Sequence, residues 1–263
     1  MDSLRYHWNA FQTLTPIRDN QYNQTKIFVP IIPSNGLHTK DLINTFEDAI
    51  SDQNIENCLK ILQSIRIVRP KKAFLGKSVR NAAVLVPFCR DSRGEPSVLL
   101  TQRSNNMNSH RGEVCFPGGI EEANDNNQMI RTAVRETVEE LGIDENRVKV
   151  YGVLNPFPAM SGSIVHPVLG FIDLNGFNLN SNINREEVEN VFIVPLKSLC
   201  DQTSWGSTKW KAGWTTPVYT DKSPDVPRVW GLTAGILYAV MSALLPNVFK
   251  FDFKFLNFSS QRK

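Results

Sequence analysis

The segment MIRTAVRETVEEL, from Met129 to Leu141, constrains the fold more than any other stretch of the chain. Its apolar and charged residues recur at helical spacing, so as a helix it must bury one face and expose another. With Glu136 at zero and about 100° per residue, Glu139 falls near −60° and Glu140 near +40°. Ile130, Val134, Val138 and Leu141 gather on the far side, between roughly 120° and 200°. The second group predicts an apolar, buried stripe, and the first puts three carboxylates on one face. Like charges one turn apart repel by a few tenths of a kcal/mol. Water can screen such a face. A hard divalent cation is the alternative, since Mg²⁺ and Mn²⁺ prefer carboxylate oxygen.

The flanking residues favour the cation. Arg135 precedes Glu136 and can hold a carboxylate in one rotamer through a two-pronged pair. Upstream, EVCFPGG (Glu113 to Gly119) makes a bend whose glycines let backbone groups approach a ligand with no Cβ in the way. Gly142 sits where a helix-ending glycine belongs.

Around this unit, AAVLVPFC (Ala82 to Cys89) and SVLLTQR (Ser97 to Arg103) read as strands joined by the turn-forming DSRGEP. VKVYGVL (Val148 to Leu154), IVHPVLGFI (Ile164 to Ile172) and VENVFIVPL (Val188 to Leu196) read as further strands, with His166 a structural strand residue. From about Asp41 to Ile65 the pattern is helical, and Asp52-Gln53-Asn54 is expected to break it into two helices. Val229 to Leu245 is a long core helix, too short in its apolar part to span a membrane. Residues 1 to about 37 are polar and weakly patterned, and Asn175 to Asn184 is an Asn-rich loop.

Composition mainly excludes. A formal net charge of +3 gives no basic coat for nucleic acid or membrane. Cys58, Cys89, Cys115 and Cys200 are far apart, with no zinc or disulfide spacing, and read as thiols in a reducing compartment. The N-terminus lacks a secretory core, and Asp2 and Asp19 argue against a mitochondrial presequence. The terminal SSQRK is not a peroxisomal S-K-L address. An intracellular, mitochondrial or cytosolic protein is expected, rather than a peroxisomal one.

RETVEELGI resembles the second half of the Nudix hydrolase box, G-x5-E-x7-R-E-U-x-E-E-x-G-U with U apolar; Thr137 stands at a U position. The first half departs from the pattern. Asn127, not glutamate, lies eight residues before Arg135, and Gly119 lies sixteen before it rather than fourteen. Glu121, Glu122 and Asp125 are the acids that could replace the missing one. LLTQRSNNMNSHRGEVCFPGG (Leu99 to Gly119) is similar to the second signature of the coenzyme A diphosphatases, LLTxR[SA]-x3-R-x3-G-x3-FPGG. Asn108 takes the second arginine's place, with Arg111 nearby. Weaker similarities at NAAVLVPF, NREEVENVFIVPL and VWGLTAGIL extend the resemblance from about Val79 to Leu245.

The resemblance implies an α/β (α+β) protein, a Nudix-type α/β/α sandwich with a mixed sheet and a helical N-terminal extension. Residues 1–75 would be the extension, 76–250 the hydrolase domain and 251–263 a tail. The implied activity is cleavage of the diphosphate of CoA or acyl-CoA with Mg²⁺ or Mn²⁺. The alternatives are another nucleoside diphosphate derivative (ADP-ribose, NADH, an RNA cap) or a catalytically weak CoA-binding module. Implied metal ligands are Glu136, Glu140, Glu139 and the Gly119 carbonyl; implied catalytic residues are Glu139, Arg135 and Glu187. Arg103, Ser104, His110, Arg111 and Gly118 are expected to meet substrate. Trp205, Trp210 and Trp214 either stack on adenine, cover the acyl chain or, as the plainer expectation, pack locally.

Overall fold

β1 (Asn81–Arg90) is the strand on which the other layers assemble. Its sequence is apolar on both faces, as a strand covered on both sides requires. The computed structural model describes residues 46–65, 79–107, 109–159, 162–209 and 215–251. β1 pairs in parallel with β7 (Ile164–Ile172), with Ala83 opposite His166 and Leu85 opposite Val168. It also pairs antiparallel with β2 (Pro96–Arg103) through the predicted hairpin, and with the short β4 (Gly118–Ile120). β3 (Val114–Cys115) and β8 (Val188–Pro195) flank β2, while β5 (Val148–Val153) and β6 (Phe157–Pro158) flank β7. Among the described residues these strands make one eight-stranded mixed sheet. A separate hairpin joins β9 (Trp205–Lys209) to β10 (Thr215–Tyr219).

Strand alternation sorts the side chains into two cores. Ala83, Leu85 and Cys89 join Leu99, Val168 and Ile172 beneath α2 (Met129–Leu141), which contributes Ala133 and Leu141. On the other face, Val86, Phe88, Val98, Leu100 and Leu169 share a core with α1 (Asp52–Ser64) and α5 (Gly231–Leu244). These layers make the α/β/α sandwich. Short helices α3 (Leu179–Asn182) and α4 (Leu196–Leu199) bracket β8.

Three local expectations need correction. The expected break exists but lies three residues earlier, between a 3-10 turn at Phe46–Asp48 and α1, while Asp52, Gln53 and Asn54 form the first turn of α1, capped by Ser51. Asn54 is buried, and its amide donates to the carbonyls of Ala49 (2.7 Å) and Leu244 (3.1 Å), so it ties α1 to the end of α5. The stripe of α2 is rotated from the expected one. Ile130, in the first turn, is 39% exposed, whereas Thr137 is fully buried and returns its hydroxyl to the Ala133 carbonyl at 2.6 Å. Glu140, expected on the open acidic face, is only 3% exposed. Helical periodicity places residues relative to one another; the neighbouring sheet decides which arc of the helix is covered.

Trp205 takes the packing role. It is buried, donates its indole N–H to the Leu199 carbonyl at 2.7 Å, and lies against Tyr219, Tyr238, Phe249 and Phe251. Trp210, Trp214, Asn108, the polar N-terminal segment, residues 41–45 and the SSQRK tail lie outside the described residues. Among the described residues, all four cysteines are free thiols and no helix is long and apolar enough to cross a membrane.

Because α1 and α5 share one core, their contact belongs to the cooperative fold. Ile55 is fully buried there. Ile55→Ala is expected to lower unfolding free energy by about 2–5 kcal/mol, the usual cost of an aliphatic-to-alanine cavity. Urea titration followed by tryptophan fluorescence and far-UV circular dichroism checks this: the two probes should shift together, in one transition.

Candidate active site

Arg135, on the sheet-side flank of α2, organises the site. Its Nε and Nη2 donate to Oδ1 and Oδ2 of Asp125, each at 3.1 Å, in a two-pronged pair. Nη2 also reaches Glu136 Oε1 at 3.0 Å and the Ile120 carbonyl at 3.3 Å, and Nη1 meets Glu139 Oε2 at 3.0 Å. One guanidinium thus orients two carboxylates of the helix and is itself held by a third.

The role of Asp125 resolves the irregular first half of the box. Five residues separate Gly119 from Asp125, the spacing that the Nudix pattern gives its glutamate, and nine rather than seven separate Asp125 from Arg135. On that count the two extra residues fall between Asp125 and Arg135, a stretch in which Asn126 and Asn127 are both left-handed (φ 53° and 58°). Asparagine tolerates that region better than most side chains. Counting back from Arg135 puts the acid position on Asn127; counting forward from Gly119 finds the residue that occupies it. Of the three candidate replacements, Asp125 is the one gripped by Arg135. Glu122 is exposed, 3.9 Å from Arg135, and Glu121 accepts from Asn81 at 3.1 Å. Arg135 holds the buried Asp125 carboxyl down at about 2.

Gly119 lies under Glu136. A Cβ there would stand 2.5 Å from both carboxylate oxygens, so any side chain at this position would displace the Glu136 carboxylate. At Gly118 (φ 150°) a Cβ would come within 2.3 Å of the Ala83 carbonyl oxygen in β1, and the Gly118 N–H favours the ionised form of Glu140. The tight FPGG bend therefore seats α2's carboxylates against the sheet.

Glu136 and Glu140 are joined by Glu187, from the loop before β8, with one oxygen of each lying within 4.8 Å of the others. The backbone brings Glu187 there: its carbonyl accepts from the Ser104 N–H at 2.8 Å, just past Arg103 at the end of β2. Burial, reinforced by the charges of Glu136 and Glu187, pushes the Glu140 carboxyl up to about 8, although Arg103 opposes this. Burial also raises Glu136, which Arg135 partly offsets. Among the described residues, Glu140 Oε2 is buried with no hydrogen-bond partner. A dry, unpartnered carboxylate oxygen among like charges is costly alone and suited to a hard cation. The donor set fits such an ion.

The remaining expected residues divide. Arg103 faces this group, and its buried Nε has no hydrogen-bond partner among the described residues. Glu139 is half exposed, held by Arg135, and outside the three-carboxylate group. Ser104 is buried, with its hydroxyl accepting from the Asn106 N–H at 3.3 Å within the turn. His110 is exposed and paired with Glu113 at 2.9 Å; Arg111 is exposed and donates to the Met107 carbonyl. Cys115 was missed as a neighbour. Its thiol lies 3.3 Å from the Thr101 hydroxyl, within electrostatic reach of Arg103 and Glu140, and burial pushes it up to about 11. Its place in β3, opposite Thr101, was the available signal.

A sandwich that presents an arginine-braced carboxylate centre at the end of its sheet, facing a second arginine, is the framework of a divalent-cation-dependent hydrolase. The chain belongs to the Nudix family: the NUDIX domain model matches residues 79–213. It is 36% identical to the mouse (Mus musculus) mitochondrial coenzyme A diphosphatase NUDT8, over 77% of this chain and 93% of that protein. It is 32% identical to Nudix hydrolase 3 of Caenorhabditis elegans, over 75% of this chain and 87% of that protein. The Nudix hydrolase NudL of Citrobacter koseri is 35% identical, over 67% and 88%.

The low value at Asp125 has a pH consequence. Its folded value, about 2, lies below its ordinary 3.8, so the ion pair stabilises fully above pH 4 and its contribution is lost as pH falls toward 2. Asp125→Asn should therefore cost about 2 kcal/mol at neutral pH and far less near pH 2. Unfolding free energies of both proteins across that range provide the check.

Proposed function

We propose that the chain hydrolyses the diphosphate of CoA or an acyl-CoA, using Mg²⁺ or Mn²⁺, to adenosine 3′,5′-bisphosphate and 4′-phosphopantetheine or its acyl form. The observation that carries this reading is the meeting of Glu136, Glu140 and Glu187 opposite Arg103, with an unpartnered buried acceptor on Glu140 and an unpartnered buried donor on Arg103. Such a pair of surfaces suits a cation on one side and a phosphate oxygen on the other. The named activity of the mouse relative supports CoA as the substrate, and its compartment supports a mitochondrial location.

Glu136, Glu140 and Glu187 would hold the ion, with the Gly119 carbonyl as a further oxygen. When bound, the ion neutralises diphosphate charge and acidifies a water molecule. Arg103 binds and orients the phosphate at the end of β2. Arg135 keeps Glu136 in place and restrains Glu139 at the solvent edge, where its free oxygen can take a proton from water. Gly118 and Gly119 keep the bend narrow, so that the phosphate and α2 share one small space. Ser104, His110 and Arg111 form the loop above Arg103 and are assigned to substrate contacts beyond the diphosphate.

Purified protein should be tested with CoA, acyl-CoAs, ADP-ribose and NADH, each with Mg²⁺ and Mn²⁺, and the products resolved by chromatography. CoA or an acyl-CoA should be turned over with the highest kcat/KM; preference for ADP-ribose or NADH would reject the substrate assignment. Glu140→Gln should lower kcat by about 10²-fold or more, because cation charge stabilisation is worth several kcal/mol. A folded variant that is fully active at saturating cation would overturn the ligand assignment.

A further inference from the structure

We propose that Thr132 is a positioning residue of the catalytic centre, acting through Asp125 and Arg135 on Glu136. A buried helical threonine ordinarily returns its hydroxyl to a carbonyl of the preceding turn. Thr137, one turn further along α2, does so. Thr132 instead donates to Asp125 Oδ2 at 2.9 Å, although it is fully buried and Asp125 is only 3% exposed.

The Asp125 carboxylate has four donors. Oδ1 takes Arg135 Nε; Oδ2 takes Arg135 Nη2, the Glu122 N–H at 2.9 Å and the Thr132 hydroxyl. The arginine fork is planar, so the carboxylate and guanidinium share one plane. The fork alone leaves that plane free to turn about the aspartate side chain. The Glu122 and Thr132 contacts, which come from outside the fork, fix its orientation. The rest of the guanidinium then points at Glu136 Oε1 and Glu139 Oε2. Glu136 has little tolerance for a change in that direction, because its carboxylate also lies directly over Gly119.

The chain's departure from the Nudix pattern gives Thr132 this importance. Aspartate is one methylene shorter than the glutamate of the pattern. The left-handed Asn126-Asn127 pair returns the backbone so that Asp125 sits against the start of α2, where the Gln128 N–H donates to the Asp125 carbonyl at 3.0 Å. That places the carboxylate beside residue 132. Thr132 therefore contributes an anchor to this shorter acid, one link removed from the carboxylate centre.

The inference rests on Glu136 being a cation ligand, so its primary test needs no nucleotide. Mn²⁺ affinity is measured by calorimetry and by electron paramagnetic resonance of the free ion, for wild type, Thr132→Val, Thr132→Ala and Thr132→Ser. Valine keeps the shape and removes the hydroxyl; alanine is the alternative helix-compatible deletion if valine fails to fold; serine restores the hydroxyl. We expect the deletions to weaken Mn²⁺ binding about tenfold, consistent with loss of a hydrogen bond to a charged group, and serine to stay within about twofold of wild type, since it makes the same contact. With the substrate from the activity panel, the deletions should lower kcat with little change in KM. Folded deletion variants with unchanged Mn²⁺ affinity and kcat, even if less heat-stable, would show a purely structural role and overturn the proposal. So would a serine variant as impaired as valine. Failure of the CoA assignment would leave the Mn²⁺ comparison intact, so the two readings fail separately.

Discussion

The two-pronged pair between Arg135 and Asp125 is the contact on which the centre depends. It joins the end of the FPGG loop to the middle of α2, and sets the direction of the remaining guanidinium donors. Asp125 is nearly covered, so the pair operates where water competes weakly. A buried pair must satisfy its remaining hydrogen-bonding positions to be tolerable. Here it does: Thr132 and the Glu122 backbone serve the acid, and Ile120, Glu136 and Glu139 serve the base.

Concentrating carboxylates near a sheet end is electrostatically unfavourable, and much of the local architecture offsets that cost. β4 brings Gly118 and Gly119 against β1, which leaves just enough space for Glu136 and Glu140 to lie between helix and sheet. Arg103 approaches from β2, and Glu187 from the turn entering β8. The register of β2 with β8, Arg103 opposite Val188, makes those two groups neighbours although more than eighty residues separate them. Among the described residues one Glu140 oxygen stays buried without a hydrogen-bond partner, so this cost is not fully offset by the protein's own groups.

The box glutamate shows how a correct pattern can be counted from the wrong end. Spacing from Arg135 points to Asn127, since a sequence pattern does not say where extra residues have been inserted. The left-handed turn at Asn126-Asn127 lets the chain reach α2 with Asp125, six residues after Gly119, paired with Arg135. Glu139 and Glu140 illustrate a different difficulty. They are adjacent on one helical face, yet one is half exposed on Arg135 and the other buried in the three-carboxylate group. Cys115 carried no motif of its own, and only strand pairing made it a neighbour of the site.

The sequence by itself determined the longer strands β1, β2, β5, β7 and β8, the acidic helix and its terminating glycine, the FPGG bend, and the family. These are written in local periodicity, turn chemistry and spacing, which need no distant partner. Tertiary structure decided that α1 shares the core of α5, that the covered arc of α2 includes Thr137 and Glu140 but not Ile130, and that Asp125 is the partner of Arg135. It also brought Glu187 to Glu136 and Glu140. Each of these outcomes depends on which surface lies opposite a residue, and that is fixed only when sheet, helices and loops pack together and exclude water.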